Sequence, residues 1–227
     1  MSLEFKDRHL GKRIWVCGSG GSLLDVDETK IPKDDIIMCC NSSTFHFKER
    51  IDYCVFTDGA ANWSDWYTKL KDVETTIILL LPEIAIINKN TILIEKDFSR
   101  WKMSKDDDKI IGGYDVIHCA VHIAYIMGAS EIILAGVDLR HYMKGKKYPY
   151  PQDLDDTAPE PYKEWFNREM DIINKSEGLF DGLLGISLGG WKLIKEQNDL
   201  PIRSIAVNGN LNLYPTISFN DLIKEIQ

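Results

Sequence analysis

Seven short apolar runs recur along the chain, at Arg13–Cys17, Ile36–Cys40, Tyr53–Phe56, Thr76–Leu81, Thr91–Ile94, Glu131–Ala135 and Arg203–Val207. Several are unbroken rather than alternating, the pattern of strands covered on both faces. Helix-like or irregular stretches separate them. That alternation predicts an α/β fold on a mainly parallel sheet, with helices on both faces. At 227 residues the chain is long enough for a real core and is read as one domain.

The clearest helix is Asp115–Met127, where Val116, Ala120, Ile123, Ala124 and Met127 form a stripe at helical spacing. Gly128 ends it, and "EIILAG" follows directly as the next strand. His118 and His122 lie four apart, off that stripe, and are expected at solvent or at a subunit interface. A further helix is expected near Glu160–Asn174, then a Gly-rich stretch and a last helix at Phe219–Ile226. From Arg140 to Ala158 the chain turns polar and rich in Tyr, Pro and Lys. A segment of that length beyond a central strand reads as a lid, spanning about residues 140–185.

Composition excludes several classes. With 27 basic and 35 acidic residues the net charge is −8, which argues against a sequence-independent nucleic-acid binder. A local basic pocket for a small phosphorylated ligand stays open. No apolar run reaches transmembrane length, and the N-terminus lacks the apolar core of a signal peptide, so a cytoplasmic protein is expected. The five cysteines form no CxxC and sit in or beside apolar runs, as buried reduced thiols do.

The first strand runs straight into Gly18-Ser19-Gly20-Gly21-Ser22. A dinucleotide fingerprint would need glycine where Leu23 stands, and an acid after the second strand, which instead meets Asn41-Ser42-Ser43. A Walker A loop would need a Gly-Lys-Ser/Thr that is absent. The segment still offers backbone N–H groups, the Ser22 hydroxyl and a helix start suited to an anion. The alternative is a plain strand–helix turn. Asn41 either reads a base or ribose edge or caps the next turn. Asp58, at the end of the third strand, either binds a hydroxyl or metal ion or caps, and Asp138 ends the strand after the clear helix. Trp63, Trp66 and Tyr67 read as packing, with base stacking the lesser alternative, and Trp165 and Phe166 as the inner side of a lid helix.

Together "GSGGSL", "CCNSS", "GGYD", "MGASEIILAGVDL" and "NGNLNLYP" resemble a Rossmann-like group. It joins the glycosyltransferase family 42 sialyltransferases to the MptE-like 6-hydroxymethylpterin diphosphokinase domain. Gly18, Gly20, Ser22, Leu23, Asn41, Gly112, Val116, Gly128, Glu131, Ile132, Gly136 and Asp138 match its pattern. Gly21 replaces the usual Pro. Asp115 replaces Ser or Thr, where an acid would repel a sugar carboxylate. The resemblance implies a Rossmann-like transferase for a nucleotide-activated donor, of the CMP-sugar type, acting on a carbohydrate or other small acceptor. Gly18, Ser19, Gly20, Gly21 and Ser22 would hold phosphate, with Asn41 and Ser42 beside them. Gly112, Gly113, Asp115, Gly136 and Asp138 would surround the transferred group, and Tyr142 and Tyr148 would close on the phosphate. The resembled sialyltransferases place a base histidine further on, but no histidine follows His141, so that role would fall to His141 or to one of Asp153, Asp155 and Asp156, or there is no such reaction. Glycosyl transfer would need no cofactor or metal. The alternative, pyrophosphoryl transfer from ATP, would need Mg²⁺ on Asp58 and Asp138, and a third reading is a nucleotide-binding protein without catalysis. The resemblance also implies a homo-oligomer.

Overall fold

The computed structural model describes residues 2–57, 67, 70–71, 74–80, 86, 88–139, 167 and 177–227. Seven strands form one parallel sheet: β1 Arg13–Cys17, β2 Ile36–Cys40, β3 Tyr53–Phe56, β4 Thr76–Leu79, β5 Thr91–Leu93, β8 Glu131–Ala135 and β9 Ile202–Ser204. Their order is β5-β4-β3-β2-β1-β8-β9, and every neighbouring pair is parallel. A second, two-stranded sheet pairs β6 Lys96–Asp97 with β7 Ile110–Ile111. The fold is thus α/β and Rossmann-like.

The chain moves outward from β1 to β5 and then returns to the other side of β1 at β8. Order reverses between β1 and β8, and the carboxyl ends of strands at such a reversal are where open α/β sheets bind ligands. Register fixes what arrives there: Cys17 pairs with Ala135, so Gly18 and Gly136 leave the sheet side by side.

Alternate residues of each strand enter different cores. Ile14, Val16, Ile132 and Leu134 face helix α1 (Val116–Ile126) and helix α2 (Glu177–Gln197). Trp15, Cys17, Ile133 and Ala135 face helix α3 (Phe219–Ile226), with Phe219 edge-on to Trp15 at 6.0 Å. At the amino end of the sheet Glu131 takes Arg13 on one neighbouring strand (2.6 Å) and Arg203 on the other. Asp35 continues the chain of charges to Arg13 and to the Trp15 indole N–H, at 2.9 Å. Glu131, matched to the family pattern, therefore ties three strands together at the end away from the site.

Two expectations are corrected. His118 and His122 are both fully buried. The residue 101–107 stretch, β7 and α2 cover the side of α1 that its apolar stripe leaves, so the helix is enclosed all round. His118 sits edge-on between Trp101 and Trp191, with ring centroids at 5.7 and 4.8 Å. His122 Nδ1 accepts the Ile111 N–H at 2.9 Å, and Nε2 faces the Ser104 carbonyl and Asp107 at 3.2 Å each. Burial lowers the pKa of both, that of His122 to about 4. The Gly-rich stretch is the second correction: it is helical, as α2. Glycine disfavours helix by about 1 kcal/mol per residue. Here Trp191 and Ile194 anchor the helix in the core, and a Cβ on Gly190 would come within 2.6 Å of the His118 ring.

The cysteines are all buried and unpaired, and burial pushes the thiols of Cys39, Cys40, Cys54 and Cys119 upward. Tyr67 packs edge-on against Phe56 at 5.0 Å, as the packing reading expects. Trp63, Trp66, Trp165, Phe166 and the helix expected at 160–174 lie outside the described residues, apart from residue 167. Among the described residues no helix is long and apolar enough to cross a membrane.

Candidate functional site

At the switch point the glycine turn and the end of β8 clasp each other. Gly18 N–H donates to the Ala135 carbonyl and Gly20 N–H to the Gly136 carbonyl, each at 2.7 Å. Ser22 N–H donates to Asp138 Oδ2 at 3.0 Å, and Gly136 N–H donates to Ser22 Oγ at the same distance. The approach needs bare backbone: a Cβ on Gly20 would lie 2.2 Å from Asp138 Oδ2, and one on Gly136 2.2 Å from the Gly18 carbonyl. Gly136 also has φ +67°, a conformation only glycine adopts without strain. Instead of opening an α-helix, the turn continues as a 3-10 turn, Gly21–Asp25. Three of the N–H groups expected to face an anion are therefore held within the chain.

Beside the clasp stands a different surface. Asn41 closes β2 at φ +52°, a left-handed conformation that Asn tolerates better than most residues. It does not cap: Ser43 Oγ takes the Cys40 N–H at 2.9 Å and donates to the Cys17 carbonyl at 2.8 Å. The Asn41 side-chain oxygen is buried and has no partner. Ser42 Oγ donates to Ser19 Oγ at 2.9 Å, bridging the ends of β1 and β2. Asp138 is 3% exposed, and its Oδ1, like the Asn41 oxygen, is buried without a partner.

The start of α1 forms the other rim. Asp115 Oδ1 caps the helix through the His118 N–H at 3.0 Å, and Oδ2 accepts the Ser187 hydroxyl from α2. Ser187 carried no signal in the sequence, because its partner is 72 residues away. Gly112 is overlaid by the Phe98 ring, and Gly113, at φ +58°, packs on His118. Tyr114 N–H donates to His118 Nδ1 at 3.1 Å, so the neutral ring carries its proton on Nε2.

Of the residues singled out from the sequence, the fold brings Gly18, Ser19, Gly20, Gly21, Ser22, Asn41, Ser42, Gly136 and Asp138 to the carboxyl edge of the sheet around β1. Gly112, Gly113 and Asp115 lie at the amino end of α1. Asp58, His141, Tyr142, Tyr148, Asp153, Asp155 and Asp156 are outside the described residues. Among those described, no group of three or more His, Cys, Asp or Glu could hold a metal ion.

No protein-family model matches the chain, and no curated protein matches its sequence. Solved structures do. Sialyltransferase CstII from Campylobacter jejuni, in complex with cytidine-5′-monophosphate, superposes with TM-score 0.52 at 16% identity, over 93% of this chain and 86% of that one. The same enzyme with the substrate analogue CMP-3FNeuAc gives TM-score 0.51 at 15% identity, over 92% and 87%. Monomeric CstII gives 0.51 at 16% identity over the same shares. The likeness shows a shared sialyltransferase-like fold.

Proposed function

We propose that this chain is a glycosyltransferase that takes a CMP-activated sugar in the crevice at the carboxyl ends of β1, β2 and β8. The observation that carries the reading is the pair of unpartnered buried acceptors at that edge, Asn41 Oδ1 and Asp138 Oδ1. A buried polar atom without a partner loses free energy unless a ligand or water supplies one, and here two lie where the fold places ligands. The likeness to structures solved with CMP supports the choice of nucleotide.

In this reading Ser19, whose oxygen accepts the Ser42 hydroxyl, offers its own O–H to the phosphate, and the Asn41 amide reads the adjoining polar edge of the donor. The bond from the anomeric carbon to the phosphate oxygen breaks, and a bond to the acceptor hydroxyl forms. The nucleotide leaves with the electron pair, and the acceptor proton passes to a base. His141 is the residue we assign that role. Asp115 and Asp138 favour the positive charge that develops on the sugar, and much of the rate would come from positioning. Pyrophosphoryl transfer would route Mg²⁺ through Asp58, which lies outside the described residues, and Asp138.

A thermal-shift series with CMP, CDP, UDP, GDP, AMP and ATP, each with and without Mg²⁺, tests the proposal. A ligand that binds only the folded state raises Tm by mass action, by about 2.7 kcal/mol of stabilisation at a hundredfold excess over Kd. CMP is expected to raise Tm without metal. A shift with ATP that requires Mg²⁺ would transfer the reading to pyrophosphoryl transfer, and no shift with any nucleotide would end it.

A further inference from the structure

Next to the 3-10 turn Asn41–Phe45, a cavity of about 420 Å³ follows the loop that carries the chain back to the start of β3. Its lining comes from two stretches that only the fold brings together. One lies between Thr44 and Ile51, and the other supplies Leu70, Glu74 and Thr75. The Thr75 hydroxyl joins them, donating to the Ile51 carbonyl at 2.9 Å. Phe47 and Leu70 are buried, and Phe45 and Ile51 half-buried, so part of the wall is apolar. Lys48, Glu49 and Glu74 stand exposed and supply charge of both signs.

Two polar groups of the lining make no hydrogen bond. Thr44 is 7% exposed, and its hydroxyl is buried without a partner. Arg50 gives its terminal N–H groups to the carbonyls of Pro32, Lys33 and Asp35, which fixes the guanidinium. Its Nε is buried at 3.5 Å from Asp52 Oδ2 and makes no hydrogen bond.

We infer that this cavity binds a free α-amino acid with an apolar side chain. An O–H and an N–H left without acceptors call for one, and a carboxylate offers two oxygens, to which Lys48 adds its charge. The ammonium meets Glu49 and Glu74, and the side chain packs on Phe47 and Leu70. Lys48 and Glu49 are neighbours in sequence, with Cα atoms about 3.8 Å apart. The lining therefore presents opposite charges on the scale at which an amino acid carries its own. Ligand pockets span about 300–1,000 Å³, so this cavity is at the small end and suits a single amino acid better than a peptide. The inference does not depend on the nucleotide reading.

Calorimetric titration of the full chain with L-leucine and L-phenylalanine, and with the N-acetyl and amide form of each, tests it. At least one free amino acid is expected to bind. Its N-acetyl form lacks the ammonium charge and its amide lacks the carboxylate. Each should bind at least about tenfold more weakly, a change of about 1.4 kcal/mol. Thr44→Val replaces the hydroxyl with a methyl of similar size. It should leave the Tm of the unliganded protein unchanged and weaken binding about tenfold. Glu74→Gln, at an exposed position, should weaken binding of the free amino acid and leave that of its N-acetyl form unaffected. If neither amino acid binds wild type, or if the acetyl and amide forms bind as tightly as the free acid, the assignment is overturned. A parallel titration with CMP reads the nucleotide proposal separately: CMP binding without amino-acid binding overturns the cavity assignment alone.

Discussion

The glycine clasp and the neighbouring end of β2 lie side by side, yet they treat their polar groups in opposite ways. In the clasp, the N–H groups of Gly18, Gly20, Ser22 and Gly136 all donate within the chain. At the end of β2, Ser43 satisfies the backbone, and Asn41 keeps a buried oxygen without a partner. The difference teaches that a glycine-rich turn after a first strand need not be the anion cradle. Here its lack of side chains lets two strand ends touch, and the polar atom left without a partner is on Asn41 beside it.

The comparison can be broken in order of effect. Gly136→Ala adds a Cβ 2.2 Å from the Gly18 carbonyl at a residue with φ +67°. It should destabilise the fold by about 3 kcal/mol or more, read as a lower urea midpoint. A clasp that tolerated Ala would not be the tight closure described. Ser22→Ala removes the acceptor for a buried N–H and is expected to lose about 1–3 kcal/mol by the same measurement.

Acid probes the buried histidines of α1. His122 titrates at about 4 when folded and His118 is likewise lowered, against about 6.5 in the unfolded chain. The unfolded state takes up protons first, so the stabilising contribution is complete above about pH 6.5 and declines as pH falls towards 4. Urea titrations across that range should show the decline, and His122→Gln should flatten it. An unchanged profile in that variant would remove His122 from the account. The smallest effect on stability belongs to Asn41→Gly, which fits the left-handed backbone and deletes only an unpartnered side chain. Stability should move by less than about 1 kcal/mol.

Much of this was legible beforehand, for physical reasons. Strands buried on both faces must be apolar at every position, so β1, β2, β3 and β8 showed their limits in the sequence. At the edge, β9 covers Ile202–Ser204 where Arg203–Val207 was expected, because pairing with β8 ends before the apolar run does. The strands β6 and β7 are two residues each and too short to leave a period. Helix α2 was hidden by its glycines, whose cost is offset by tertiary packing that sequence spacing does not report. The histidines of α1 were misplaced because one apolar stripe implies one buried face, whereas this helix is enclosed. The order of the motifs anticipated that Gly18–Ser22, Asn41 and Asp138 share one edge of the sheet. It could not show that Ser22 faces Asp138, a partner 116 residues away.

The most direct measurement is a pair of nucleotide titrations on folded Ser22→Ala and Asn41→Gly, beside wild type. The account predicts that Asn41→Gly weakens CMP binding about tenfold, the loss of a hydrogen-bonded group, while Ser22→Ala binds as wild type does once its fold is confirmed. The reverse pattern, with binding lost in Ser22→Ala and kept in Asn41→Gly, would contradict it and return the phosphate to the glycine turn.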